Sequence, residues 1–230
     1  MAGNATITPA LFKFLKDLKA NNNRDWFAAN KPRYIADVRD PLLRLIEDFA
    51  GPLAKISEHF EAIASAQGGS LFRIYRDTRF SKDKKPYKEN VGVHFRHEAG
   101  CSAHAPGFYL HLEPGRCFAG AGIWKPEPEA LGQIREAIVE DPAGWKKASQ
   151  GKAFLDYFGG IEGESLKRPP RGFDPEHPYI DDLKRKDFFI LKHFTQQELC
   201  STNCLKLMSE VYRKATPLTR FLTEAVGLPY

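Results

Sequence analysis

The residues whose types and spacing could do chemistry cluster in one run, RIYRDTRFSKDKKPYK, from Arg73 to Lys88. It holds seven basic residues and two acidic ones, a surplus of five. The whole chain carries 34 Lys and Arg against 29 Asp and Glu, also net +5. Everything outside the run is therefore balanced, and a local excess of charge argues for a local anionic partner. Arg73 and Arg79 present planar guanidinium groups suited to bidentate contact with phosphate or carboxylate. Asp77, set between Arg76 and Arg79, is expected to be ion-paired, ionised and able to orient them. Tyr87 and Lys88 follow Pro86, which holds Lys85 extended. The interleaved Phe72, Tyr75, Phe80 and Tyr87 would give such a site apolar walls. The opposing account makes Lys82, Lys84 and Lys85 a solvated loop and the arginines structural ion pairs.

Other reactive residues give weaker signals. His94 and His97 are three apart, so a strand points them to opposite faces. His94 and His111 on neighbouring strands, with Asp77 or Glu113, would make a conceivable metal site, but no ligand spacing supports it and none is assigned. His177 reads as a loop contact. Cys200 and Cys204 fall one helical turn apart in an apolar stripe and read as core. Cys101 near His104 lacks a third, orienting residue. With no Cys-x-x-Cys, and no export signal in MAGNATITPALFKFL, Cys101, Cys117, Cys200 and Cys204 are expected to be free thiols. Gly120-Ala121-Gly122 lacks the third glycine of a dinucleotide fingerprint, and no cofactor is assigned. Glycines in a strand instead admit a neighbouring group or a ligand. Trp124-Lys125 could wall the same cleft. Trp26 and Trp145 read as packing residues.

The elements that must position these groups follow from periodicity. Thr8-Pro9 starts a helix with Leu11, Phe14, Leu15 and Leu18 on one stripe. Asn21-Asn22-Asn23 ends it and caps the next. Pro32 opens a longer helix that Pro41 must kink or break and Gly51-Pro52 stops. Leu53, Ile56, Phe60 and Ile63 predict a further helix. The period then changes to two. Leu71–Arg76, Val91–Phe95, Phe108–Leu112 and Cys117–Ile123 predict four strands of an antiparallel meander. A helix follows from about Pro126 to Glu140. Gly159 to Pro178 is a loop, Asp187 to Phe194 a fifth strand, and Thr195-x-x-Glu198 a capping box. Thr216-Pro217 predicts the start of a last helix. The order predicts an α+β fold over residues 1–230 as one domain, an antiparallel sheet of four to six strands with helices mainly on one face. Apolar residues are 42% and aromatics 12% of the 230 residues, with no apolar run near the ~20 a membrane helix needs. A soluble, cytoplasmic protein without a membrane partner is expected.

The signature RIYRDTRFSKDKKPYK resembles that of a bacterial and fungal family, domain of unknown function 2461. NNNRDWF with Lys31, Tyr34 and Pro41, then PGFYLHLEPG, GAGIWKPEPEALGQIREAI and RPPRGFDPEHPYIDDLKRKDF are similar to the rest of its pattern. The resemblance covers nearly the whole chain and implies one intact domain, with neither an activity nor a cofactor.

The functional surface is thus expected to be a basic cleft using Arg73, Arg76, Arg79, Tyr87, Lys88 and Trp124. Tyr109 and His111 would be neighbours, and the Lys167–Lys184 loop a cover. Three uses stay open. The cleft binds an anionic small molecule or nucleic acid. It is an enzyme site with Asp77 or His111 as proton carrier. Or the Arg/Asp cluster is an ion-pair knot.

Overall fold

The computed structural model describes residues 6–79, 81–99 and 105–230. Phe80, Cys101 and His104 lie outside the described residues. Five strands, β1 (Phe60–Glu61), β2 (Val91–His97), β3 (Gly107–Glu113), β4 (Arg116–Ile123) and β5 (Phe188–Phe194), form one antiparallel sheet in sequential order. This is the α+β meander expected of the strand spacing, with one exception. The edge beside β2 is taken by Phe60 and Glu61, paired with His97 and Arg96, and not by a strand over Leu71–Arg76.

Strand alternation gives the sheet two unlike faces. On one lie Val91, Val93, Phe95, Phe108, Leu110, Leu112, Ala119, Ile123, Phe188 and Ile190, all buried. Helices cover this side. Phe49 of α3 (Asp40–Ala54) packs on Phe95, with ring centroids 5.1 Å apart. Tyr212 of α9 (Cys204–Ala225) packs on Phe108 at 4.9 Å. On the other face the register makes three rows: Gly92–His111–Phe118–His193, His94–Tyr109–Gly120–Leu191 and Arg96–Gly107–Gly122–Phe189.

The helical layer starts with α1 (Pro9–Ala20), whose Leu11, Phe14, Leu15 and Leu18 are buried as their spacing requires. Asn23 caps α2 (Arg24–Tyr34) by accepting the Trp26 N–H at 2.9 Å. Proline placement departs from expectation. Pro32 lies inside α2, and the helix runs on through a π-helical segment, Ile35–Arg39, into α3. There the Asp40 N–H reaches the Ile35 carbonyl, five residues back, so the missing N–H of Pro41 is accommodated by a shift of register instead of a break. Pro52 lies within α3, which ends at Ala54, and no helix follows over residues 55–63. Apolar residues three and four apart suited a helix, but the free β2 edge offers Phe60 and Glu61 backbone partners. After the sheet come α4 (Pro128–Glu140), α5 (Pro142–Ser149), α6 (Lys152–Phe158), α7 (Ile180–Leu183) and α8 (Gln196–Leu199). The Thr195–Glu198 capping box forms at α8. Pro217 sits inside α9 and starts no helix of its own, because Met208, Val211, Tyr212, Ala215, Leu218 and Leu222 make one uninterrupted buried stripe.

Candidate functional site

The basic segment touches the sheet only briefly. Leu71 bridges Val93, the Phe72 N–H donates to Gly92 O at 2.9 Å, and Ser70 O accepts the His94 N–H at 2.8 Å. The chain then leaves β2 and pairs with itself. Arg76 N–H donates to Pro86 O, Lys88 N–H to Ile74 O, and Tyr75 bridges Tyr87. The strand expected over Leu71–Arg76 is therefore two isolated bridges. Leu71 and Ile74 are buried, but Arg73 and Arg76 leave neither side of the stretch wholly apolar, and it peels off as an arm. The arm is pinned to the helical layer by Tyr87, which is buried and stacked on Phe27 at 4.1 Å. Asn22 clamps the same residue from both ends, accepting the Tyr87 N–H at 3.1 Å and donating to Tyr87 O at 3.0 Å.

The arm's charges divide into two groups. Arg76 bonds Asp83 at 2.6 Å and Ser81 at 3.2 Å. Arg79 forks onto Asp77 with contacts of 3.1 and 2.8 Å. That guanidinium, with the Arg79 N–H, holds the Asp77 carboxyl down at about 2, so Asp77 is ionised and orients Arg79. Lys85 pairs with Glu89 at 2.8 Å, and Lys84 donates to Thr78 O. Arg73 and Lys88, in contrast, have no ion pair or side-chain hydrogen bond among the described residues. Burial, then the nearby Arg73, lowers the Lys88 pKa.

These unpaired cations face a cavity of about 700 Å³ between the arm, α2 and the sheet edge. Lys31, Arg39, Arg73, Lys88 and Arg96 line it, with Phe27, Tyr34, Phe72 and Tyr75, and no Asp or Glu is among the lining residues. Arg39 is paired with Asp40 at 2.8 Å. Lys88 and Arg96 lie over the Phe72 ring, 5.2 and 5.8 Å from its centroid. The Arg96 Nε is buried without an acceptor.

A second cavity, about 470 Å³, opens over the uncovered sheet face. Its lining includes Phe72, His94, Tyr109, His111, Arg116, Phe118, Trp124 and Leu191. His111 stacks on Phe118 at 4.6 Å and 5°, with its Nε2 3.2 Å from Glu113 and its Nδ1 3.3 Å from both Asn90 and the Tyr109 hydroxyl. Burial lowers its pKa against the opposing pull of Glu113. Burial, then Arg96, takes His94 down to about 4, so it is neutral, and its Nδ1 has no partner. A third cavity, about 440 Å³, shares lining residues with both. Phe72 and Lys88 line it and the first, and Phe72 and Tyr109 line it and the second.

Of the residues singled out in the sequence, Arg73 and Lys88 meet in the first cavity, Arg76, Tyr87 and Lys88 in the third, and Trp124 and His111 in the second. Asp77 and Arg79 line a separate, shallow hollow with Arg73 and Arg76. Asp77 and His111 share none of these cavities. No residue of the Lys167–Lys184 loop lines them; the loop is closed at its base, where the Leu166 N–H donates to Lys184 O. Lys31, Arg39 and Arg96 were missed. Arg96 had a signal, since it shares an alternating strand face with His94 and Gly92. Lys31 entered only through the family pattern and Arg39 not at all, because the cavity that gathers them exists only in the folded chain. Among the described residues no group of three His, Cys, Asp or Glu could hold a metal ion. Cys117, Cys200 and Cys204 are free thiols, with burial raising all three pKa values, Cys204 to about 12. No helix among the described residues is long and apolar enough to cross a membrane.

No curated protein and no solved structure matches the chain. A model of the conserved hypothetical protein family DUF2461 matches residues 10–221, so the chain belongs to that family.

Proposed function

We propose that the protein binds a phosphate- or carboxylate-bearing ligand among Lys31, Arg73, Lys88 and Arg96. The observation that carries this is a cavity of about 700 Å³ lined by five cationic side chains and no carboxylate, four of the five without an ion pair among the described residues. Its volume falls within the ~300–1,000 Å³ of small-molecule sites. Like charges held together and partly desolvated are costly, and a bound anion relieves that cost. The two guanidinium groups supply forked donors and Lys88 a point charge. The ion-pair reading describes Arg76–Asp83 and Arg79–Asp77, which leaves the other cations unexplained. An enzymatic reading has less support, since no Asp, Glu or His lines this cavity.

Calorimetric titration with inorganic pyrophosphate tests the proposal. Binding is expected at low salt and should weaken tenfold or more in an Arg73→Ala/Arg96→Ala variant, while Arg79→Ala stays near wild type. Absence of binding, or equal loss in Arg79→Ala, overturns it. With a single-stranded oligonucleotide as the probe, a steep fall of affinity with salt would favour nucleic acid as the anion.

A further inference from the structure

We propose that the ligand is a nucleoside phosphate, with its phosphate among Arg73, Lys88 and Arg96 and its base in the cavity over the uncovered sheet face. This rests on the anion-binding reading and adds the second half of the ligand. Three observations carry it.

The first is that all three cavities meet at one side chain. Phe72 lines the cationic cavity, the third cavity and the sheet-face cavity. The Phe72 ring has Lys88 and Arg96 at 5.2 and 5.8 Å and the His94 and Tyr109 rings at 5.8 and 6.0 Å, so a spacer the size of a sugar passing Phe72 would bring the two ends together.

The second is the shape of the sheet face. Its glycines lie where a neighbouring side chain lies flat. A Cβ on Gly92 would meet the Tyr109 hydroxyl, one on Gly107 would meet His94, and one on Gly120 would meet Leu191. Rings laid across glycines form a low floor instead of an upright packed layer. The floor is aromatic and neutral, with His94 uncharged and His111 stacked flat on Phe118. A planar base finds offset-stacking partners there, and Arg116 beside them supplies a further cation.

The third is a strained backbone at the cavity rim. Lys125 is the sole non-glycine residue with positive φ, +49°, among the described residues. It is held there by the buried Asp187, which accepts the Lys125 N–H at 2.7 Å and the Glu164 N–H at 3.0 Å. The strained turn sets the adjacent Trp124, which lines the cavity while 59% exposed, with the Lys125 ammonium 4.8 Å from the centre of its rings. A large indole left in water and fixed by a conformation that costs energy is a wall without an occupant.

The test compares AMP, adenosine, inorganic phosphate and a single-stranded oligoadenylate by calorimetry on the full chain. AMP is expected to bind roughly tenfold or more tightly than phosphate, the scale of one stacked base. Trp124→Ala should remove most of that advantage and leave phosphate affinity within about twofold. Trp124→Phe should restore much of it, which a folding defect would not. If AMP and phosphate bind alike, this inference fails and the anion site stands. If nothing binds, both fail. If adenosine binds as tightly as AMP, the anion reading fails. If the oligonucleotide binds far more tightly than AMP with a steep salt dependence, the small-molecule occupant is overturned in favour of a single strand.

Discussion

The two faces of one sheet solve opposite problems. The helix-covered face uses its alternate positions for Val, Leu, Ile and Phe, with Phe95 under Phe49 of α3, Phe108 under Tyr212 of α9 and Phe188 against Trp145 of α5. The other face spends the intervening positions on Gly92, Gly107, Gly120 and Gly122, with His94, Tyr109, His111 and Phe118 set among them. Burial of apolar area is what the first face contributes to stability. The second buries His94, His111 and Phe118, and its glycines weaken the strands they sit in. The same backbone ladder therefore carries a face packed by helices and a face on which side chains lie across glycines, with Tyr109 over Gly92, His94 over Gly107 and Leu191 over Gly120.

The largest effect that sharpens this contrast should come from the covered face. Phe95→Ala, at a site with no exposure between Phe49 and Tyr212, should cost about 3–5 kcal/mol in chemical denaturation. A loss below about 1 kcal/mol would mean that the helices do not pack as described.

Next comes acid sensitivity on the open face. The His94 pKa is depressed in the fold to about 4, below the ordinary 6.5. The unfolded chain then takes up the proton first, so the contribution is fully present above about pH 6.5 and is lost as pH falls toward 4. Its size is at most roughly 3 kcal/mol. Denaturation midpoints between pH 7 and 4 should show the slope, and His94→Phe should flatten it. An unchanged slope would place the acid sensitivity elsewhere.

Gly122→Ala should cost roughly 1–3 kcal/mol, since its φ of +120° is unfavourable for a side chain and the new Cβ would meet the Phe188 carbonyl on β5. Thermal unfolding measures it, and a neutral outcome would show that the open face has room where none is drawn.

The smallest effect separates the two charge groups. Arg73→Ala should change stability by less than about 0.5 kcal/mol, because Arg73 has no partner to strand. A loss of roughly 3 kcal/mol or more would make Arg73 part of a structural knot and remove it from the ligand site.

Much of the architecture was legible because it is local. Period-two alternation found β2 to β5, the α1 stripe gave its buried side, and Thr195 and Glu198 gave their capping box. The errors share a cause. Leu53–Ile63 has helical spacing, yet Phe60 and Glu61 pair with β2 because its edge lacked partners. Pro32, Pro52 and Pro217 look like helix boundaries, but each lies inside its helix, and buried stripes run past Pro52 in α3 and Pro217 in α9. Local propensity lost to tertiary context in each case.

The candidate site divides in the same way. Composition alone determined that the chain's positive surplus sits between Arg73 and Lys88, since counting charge needs no geometry. Which of those cations stay unpaired was decided by the folded arm, which turns Asp77 onto Arg79 and Asp83 onto Arg76 and leaves Arg73 and Lys88 to meet Lys31 and Arg96. Ion pairing depends on distances across loops and layers, falling off over a few ångströms, and sequence spacing does not encode those distances.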